Sequence, residues 1–373
     1  MMRRGLAWTV AALAFPPFAF AGPVVSVQDD QLASGPETDV EHRLDLLAGT
    51  GTRTTRIDVL WHDLAPERPT TPRNPNDPAY RWNRLDTIMR GLSNRGIVTV
   101  IGDIFQTPTW ASASGALNAA PGAGDLADFA GALAARYRGD WPDPNGGVLP
   151  ELRFIEPWNE PNIGRYLMPQ CRMVGTKLRP ASPVIYAELL RQAGAAIHAA
   201  NPNAQVVAGS AGPQGGHATT CRSAGDSQGV QLLIDEIRAR RVPFEFWSQH
   251  IYPIGSPDTA PFFPSWSTLG VLERRLATVR PNIPILVDET GYHTSYNRSH
   301  RYFVSEAQQA AWVTTTWRAA ARHPQVALVT WFNLSDNPDW TGGLLRGDGT
   351  PKPSLAVFQA LSAANPAPLA LTP

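Results

Sequence analysis

An alternation that runs the length of the chain constrains its fold more than any other feature. Short runs rich in β-branched and aromatic residues occupy 24–28, 54–60, 97–104, 153–158, 204–209, 245–250, 283–287 and 326–331. Between and after them lie patterns of helical period, at 41–47, 82–95, 125–139, 183–200, 229–240, 267–280, 305–323 and 353–361. In "DLADFAGALAARYRG", Leu126, Phe129, Ala130, Leu133 and Tyr137 fall on one helical face, and Asp125 stands where it can cap the first turn. Eight strand–helix units in one pass, with no break in composition, predict an α/β fold: a single-domain (β/α)8 TIM barrel over 22–373, with functional residues at the C-terminal ends of the strands. The competing fold, a doubly wound open sheet, usually carries a glycine-rich phosphate turn after its first strand, and "VQDDQLASG" is not one.

The first residues, MMRRGLAWTVAALAFPPFAFAGPVV, join two arginines to a short apolar run and an Ala19-Phe20-Ala21 triplet. They predict a secretory signal peptide over 1–21 and a secreted or periplasmic product, with no membrane attachment once the signal is cleaved. A membrane anchor is the competing reading, but the run is short for a span and contains Pro16-Pro17. Lysine plus arginine equals aspartate plus glutamate at 32 each, without a basic run, so no nucleic-acid partner is expected and a monomer acting on a neutral ligand is. Cys171 and Cys221 are the two cysteines. An oxidising compartment favours a disulfide between them, and neither has a partner at metal-ligand spacing.

"RFIEPWNEPN" sets Glu156 and Glu160 on or beside a buried strand, which is costly unless the carboxylates are paired or do chemistry. Glu160 follows the fourth strand pattern, and Glu289, in "PILVDETGY", follows the seventh. Carboxylates at the ends of strands 4 and 7 would meet across the mouth of a barrel. A pair about 5 Å apart is what retaining glycoside hydrolysis needs, one group protonating the leaving oxygen and one attacking the anomeric carbon. Glu156 lies deeper and reads as a structural partner of Arg56. Twelve tryptophans exceed the needs of a core this size. Trp61, Trp110, Trp266 and Trp340 fit either sugar platforms or plugs that anchor loops, with Trp61 and Trp110 assigned to the sugar. His217, His293 and His300 read as exposed polar residues.

"WNEPN" and "ILVDETGY" resemble the strand-4 and strand-7 motifs of clan A glycoside hydrolases, nearest to families 39 and 5. The likeness continues through "TRIDVLWHDLAPE", "YRWNRLD", "FQTPTWA", "FWSQHIYP", "VTWFNLSD" and "LLRGDGTPKPS". It implies Glu160 as general acid/base and Glu289 as nucleophile, working without cofactor or metal on an oligo- or polysaccharide. It further implies Asn159 on the sugar 2-hydroxyl, His250 and Tyr252 beside the nucleophile, Arg56 as support for its charge, and Trp331 as the ring beneath the sugar. Asp288 stands where these families often have threonine and is a rival nucleophile, which strand alternation would turn to the opposite face. Two other functions compete: a carbohydrate-binding protein on a barrel that has lost catalysis, and a metal-dependent hydrolase, for which no His-x-His cluster is visible.

Overall fold

The computed structural model describes residues 22–260, 262–296, 301–367 and 369. The expected signal segment and His300 lie outside them. Eight parallel strands follow one another around a closed barrel: β1 Val24–Gln28, β2 Thr54–Leu60, β3 Thr99–Phe105, β4 Phe154–Glu156, β5 Gln205–Ala211, β6 Phe246–Ile251, β7 Ile285–Thr290 and β8 Val326–Phe332. The first pairs with the last, Val24 opposite Leu328 and Gln28 opposite Phe332, so no edge is left open. After the strands come α1 Val40–Gly49, α2 Asn83–Asn94, α3 Ala123–Arg136, α4 Ser182–Ala200, α5 Val230–Arg240, α6 Leu269–Leu276, α7 Glu306–Ala320 and α8 Pro353–Ala364. The (β/α)8 reading of the sequence is therefore the observed fold.

Side chains alternate along the strands, except where β5 and β7 bulge. Outward residues such as Val25, Val27, Ile57, Val59, Val329 and Trp331 join the helix layer. There α2 supplies Leu85, Ile88, Met89 and Leu92 at helical spacing, each contributing about 1.5–3 kcal/mol on burial. Inward residues form a second, smaller core of Ile101, Phe154, Val207, Phe246, Leu286 and Leu328, with Leu369 against it. Above this plug the interior turns polar, and Arg56, Asp103, Glu156 and Asp288 are wholly buried.

Several local expectations need correction. α3 starts at Ala123, so Asp125 lies within the first turn and does not cap it. Its carboxylate instead accepts from Arg68 Nη1 at 2.9 Å. β4 ends at Glu156, two residues before the sequence pattern does, because Pro157 has no N–H for the ladder. The stretch 163–182, which lies between the fourth strand pattern and the helical pattern at 183–200, contains an antiparallel hairpin of Cys171–Val174 and Lys177–Pro180. A disulfide ties the start of that hairpin to Cys221 in the loop after β5, with the two Cα atoms 6.1 Å apart. Closing this loop of 50 residues contributes about 4 kcal/mol on the chain-entropy estimate. No helix among the described residues is long and apolar enough to cross a membrane.

Candidate active site

The site is built around one arginine. Arg56 projects inward from β2 and is 1% exposed, too little to stay charged without partners. It has several: Nε donates to Glu156 Oε2 at 2.9 Å, Nη1 to Gln28 Oε1 at 2.9 Å and Glu289 Oε1 at 2.8 Å, and Nη2 to Asn159 Oδ1 at 2.9 Å and Ser210 Oγ at 3.1 Å. Asp103 Oδ2 and Asp288 Oδ2 complete the cage at 2.9 and 3.1 Å. Glu156 is thus a buried partner of Arg56, as its depth in the strand predicts.

The carboxyl groups here outnumber the cations, so some must hold protons. Burial, with Asp288 adding to it, keeps Glu156 well above the usual carboxylate range, and burial does the same to Asp103 against the pull of Arg56. For Asp288, Arg56 and His250 outweigh burial and hold the carboxyl low.

Glu160 is positioned by a turn. Beyond β4 the chain bends so that Glu160 has φ 39°, in the left-handed region that costs an ordinary residue about 1 kcal/mol or more. Two anchors hold it there. The Glu160 N–H donates to the Ser210 carbonyl at 2.8 Å, and Asn162, fully buried, donates to the carbonyls of Gly212, Gln214 and Gln228 at 3.0, 3.0 and 3.1 Å. Of the two asparagines in "PWNEPN", the second therefore serves the loop. The first, Asn159, accepts from Arg56 through its oxygen and keeps its amide nitrogen without a partner among the described residues.

Glu289 is positioned by an extra residue in β7. Ser248 of β6 pairs with Leu286 and His250 with Glu289, so three steps on β7 match two on β6. The same excess appears against β8, where Val329 pairs with Val287 and Trp331 with Thr290. This bulge cancels the alternation that should have turned Asp288 away from Glu289. Both carboxylates reach Arg56, and burial rather than face distinguishes them: Asp288 is 0% exposed, whereas Glu289, like Glu160, is 8% exposed and lines the cleft.

His250 Nδ1 lies 2.8 Å from Glu160 Oε1 and 3.3 Å from Glu289 Oε2. One oxygen of each glutamate and a ring nitrogen of His250 all fall within 4.8 Å of one another. Tyr252 donates its hydroxyl to Glu289 Oε2 at 2.6 Å. Burial opposes charge on His250, but Glu289, Asp288 and Glu160 outweigh it and raise its pKa to about 9. Burial also raises Glu289, against the pull of His250 and Arg56. Three groups this close have the spacing of metal ligands. To ligate a metal, His250 Nδ1 would have to give up its proton against Glu289, Asp288 and Glu160, which favour the charged ring. Arg56 already places a cation on Glu289.

A cleft of about 1800 Å³ opens over the pair. Three expected platforms lie away from its lining. Trp61 is fully buried and stacks on Phe129 at 5.5 Å; Trp110, half-buried, donates to the Ala65 carbonyl at 2.7 Å beneath the Arg68 guanidinium. Trp331 has outward parity on β8 and donates to the Gly342 carbonyl at 3.0 Å. Its neighbour Phe332 faces the cleft, beside Trp340, whose indole packs edge-on to Tyr252 at 4.9 Å. Trp266 is a plug, 1% exposed. His293 is buried against Trp340 rather than exposed, while His217 is exposed and stacks on Phe263.

The sequence reading also missed Gln28, Asp58 and Ser210. Period-2 counting from Arg56 reaches Asp58. Alternation alone does not find Ser210, which faces inward through a bulge in β5, where Ala208 pairs with Trp247 and Ala211 with Gln249; the one sequence sign of that bulge is Gly209 inside the strand pattern.

No protein-family model matches the sequence, and no curated protein does. Solved structures do match. A family 39 glycoside hydrolase from Bacteroides cellulosilyticus WH2 superposes with a TM-score of 0.61 at 19% identity, over 92% of this chain and 64% of that one. A family 39 β-xylosidase from Caulobacter crescentus gives 0.59 at 18%, over 92% and 72%. An exo-β-1,4-mannosidase from Opitutaceae bacterium strain TAV5 gives 0.58 at 18%, over 92% and 60%. The chain therefore spans a little under two thirds of the first of these relatives, and at such identities what it shares with them is the barrel fold.

Proposed function

We propose that this chain is a secreted, retaining glycoside hydrolase that cleaves β-linked oligo- or polysaccharide by double displacement. One observation carries the reading: Glu160 and Glu289 each present an oxygen within 4.8 Å of the other's on one cleft, near enough for the carboxyl separation of about 5–5.5 Å that retaining chemistry uses.

Glu289 attacks the anomeric carbon as Glu160 delivers its proton to the departing glycosidic oxygen. The carbon–oxygen bond breaks, an ester to Glu289 forms, and Glu160 is left as the carboxylate. Water then enters on the vacated side, gives its proton to Glu160 and adds its oxygen to the anomeric carbon, releasing Glu289 and returning Glu160 to its acid form. Arg56 and Tyr252 hold the nucleophile ionised and oriented. Asn159 offers its amide nitrogen to the 2-hydroxyl, a contact that strengthens as charge develops on the sugar. His250, cationic with its Nδ1 3.3 Å from Glu289 Oε2, adds to the support of the nucleophile's charge. Phe332 and Trp340 take the platform role first assigned to Trp331. The disulfide suits an oxidising compartment and supports export.

The reading is tested by assaying wild type, Glu160→Gln and Glu289→Gln on a panel of polysaccharides and aryl β-glycosides, with the anomer of the first-formed product read by NMR. A retained β-anomer from wild type and loss of turnover in both variants are expected. Wild-type turnover by either variant, or an inverted product, rejects the mechanism. Sugar binding without release of product from any substrate favours the non-catalytic alternative.

A further inference from the structure

One polar pair on the cleft floor has no part in the chemistry above. Every residue of β2 is buried except Asp58, which is partly open to the cleft two residues beyond Arg56 on the same face. Its Oδ1 accepts from Gln28 Nε2 at 2.9 Å. The Gln28 amide is fixed at both ends, since its Oε1 accepts from Arg56 Nη1 at 2.9 Å, and the same Nη1 donates to Glu289 Oε1 at 2.8 Å. Nucleophile, arginine, glutamine and aspartate thus form one continuous chain of hydrogen bonds, and Asp58 is set relative to Glu289 by rigid links rather than by a loop. Asp58 Oδ2 has no hydrogen-bond partner among the described residues.

The same wall carries a second carboxylate. Asp30 lines the cleft, and Asn337 Nδ2 donates to its Oδ2 at 2.9 Å while Asn333 bonds its other oxygen. Burial, with Asp30 and Glu289 adding to it against the pull of Arg56, raises Asp58 to about 7.

We propose that Asp58, oriented by Gln28, is the specificity-determining residue for the sugar in front of Glu289: its free oxygen takes a hydrogen bond from a hydroxyl or ammonium group on the ring edge and turns away sugars that bear a carboxylate. The inference rests on the glycosidase reading and narrows its substrate class to carboxylate-free β-glycans. Above pH 7, where Asp58 is ionised, a uronic acid would set its charge against that carboxylate in a confined, poorly solvated space and leave Asp58 without a donor. A neutral sugar supplies the donor from a hydroxyl, an amino sugar from its ammonium group.

Wild type, Asp58→Asn, Asp58→Ala and Glu289→Gln are compared on 4-nitrophenyl β-glucoside, β-xyloside, β-mannoside, β-glucosaminide and β-glucuronide, and on soluble β-glucan, xylan, mannan and chitosan, with thermal melts to confirm folding. The expected wild type processes at least one carboxylate-free probe about a hundredfold faster than the glucuronide. Asp58→Asn should lower kcat/KM on that probe about tenfold or more and shrink the discrimination by a similar factor. The glucosaminide and chitosan arms tell an ammonium donor from a hydroxyl. Active Asp58 variants that keep both kcat/KM and discrimination within twofold overturn the proposal, as does a wild type that prefers the glucuronide. A wild type that turns over none of the probes removes the glycosidase reading and this inference with it, whereas failure of Asp58 alone leaves Glu160 and Glu289 unaffected.

Discussion

At the scale of single residues, the two glutamates are separable by chemistry. On the proposed roles, Glu160→Ala should still form the covalent intermediate from a substrate with a good leaving group, so added azide should attack it and release a β-glycosyl azide. In Glu289→Ala azide can only take the place of the missing carboxylate and give the α-azide. Loss of the acid should lower kcat about 10²–10⁴-fold, and finding the same azide anomer from both variants refutes the assigned roles. Tyr252→Phe probes the neighbouring contact. The 2.6 Å hydrogen bond from Tyr252 favours ionised Glu289. Its loss should raise the nucleophile's pKa, move the acid limb of the kcat/KM profile to higher pH and lower kcat by about ten- to a hundredfold, the effect of one hydrogen bond to a charged group. An unmoved acid limb means the tyrosine only packs.

At the scale of elements, the two bulges matter more than the strands they interrupt. Gly209, at φ 102°, lets β5 bulge and turn Ser210 inward; a Cβ there would sit 2.4 Å from the Ser248 carbonyl oxygen and 2.9 Å from the Trp247 ring. Gly209→Ala should destabilise the fold by about 2–3 kcal/mol and lower kcat as Ser210 withdraws from Arg56 and His250; a denaturation midpoint equal to wild type contradicts this. The disulfide predicts a separate effect. Cys171→Ser with Cys221→Ser should lower stability by up to about 4 kcal/mol with kcat unchanged, since neither cysteine lines the cleft. Equal melting of oxidised and reduced wild type rejects it. Alternation made the strands legible, but the bulges each insert one residue into an otherwise regular period. The lone glycine of "AGSA" is a sequence sign of such an insertion, but nothing in "VDET" shows one, so the expected opposition of Asp288 and Glu289 did not survive folding.

At the scale of the whole molecule, the polar interior sets a pH dependence. Asp29 is raised to about 6 by burial against the pull of Arg43, Asp58 to about 7, and His250 to about 9. Each group holds a proton in the fold that the unfolded chain would release, the aspartates from about pH 4 upward and the histidine from about pH 6.5 upward. Buried acids that must ionise destabilise the fold as pH rises through their raised values. The stabilising charge on His250, worth about 3 kcal/mol, is fully present below pH 6.5 and lost on passing pH 9. Melting temperature should therefore fall from pH 5 to pH 9, and a flat or rising trend over that range argues against this protonation of the interior.

The sequence by itself determined the barrel, because eight hydrophobic periods leave few ways to bury their faces. For the site it pointed to Glu160 and Glu289 as carboxylates at strand ends, while Asn159, Arg56, His250 and Tyr252 entered through the resemblance to clan A glycoside hydrolases, and the fold brings all six together. Only the tertiary structure decided which aromatics meet the cleft. Trp331 and Phe332 are adjacent and equally apolar, and strand parity, fixed by pairing with β1 and β7, sends the first outward and the second in. Asp58 and Gln28 also had to wait for the fold, since what gives them meaning is a shared arginine reached from different strands, and proximity of that kind is created only when the barrel closes.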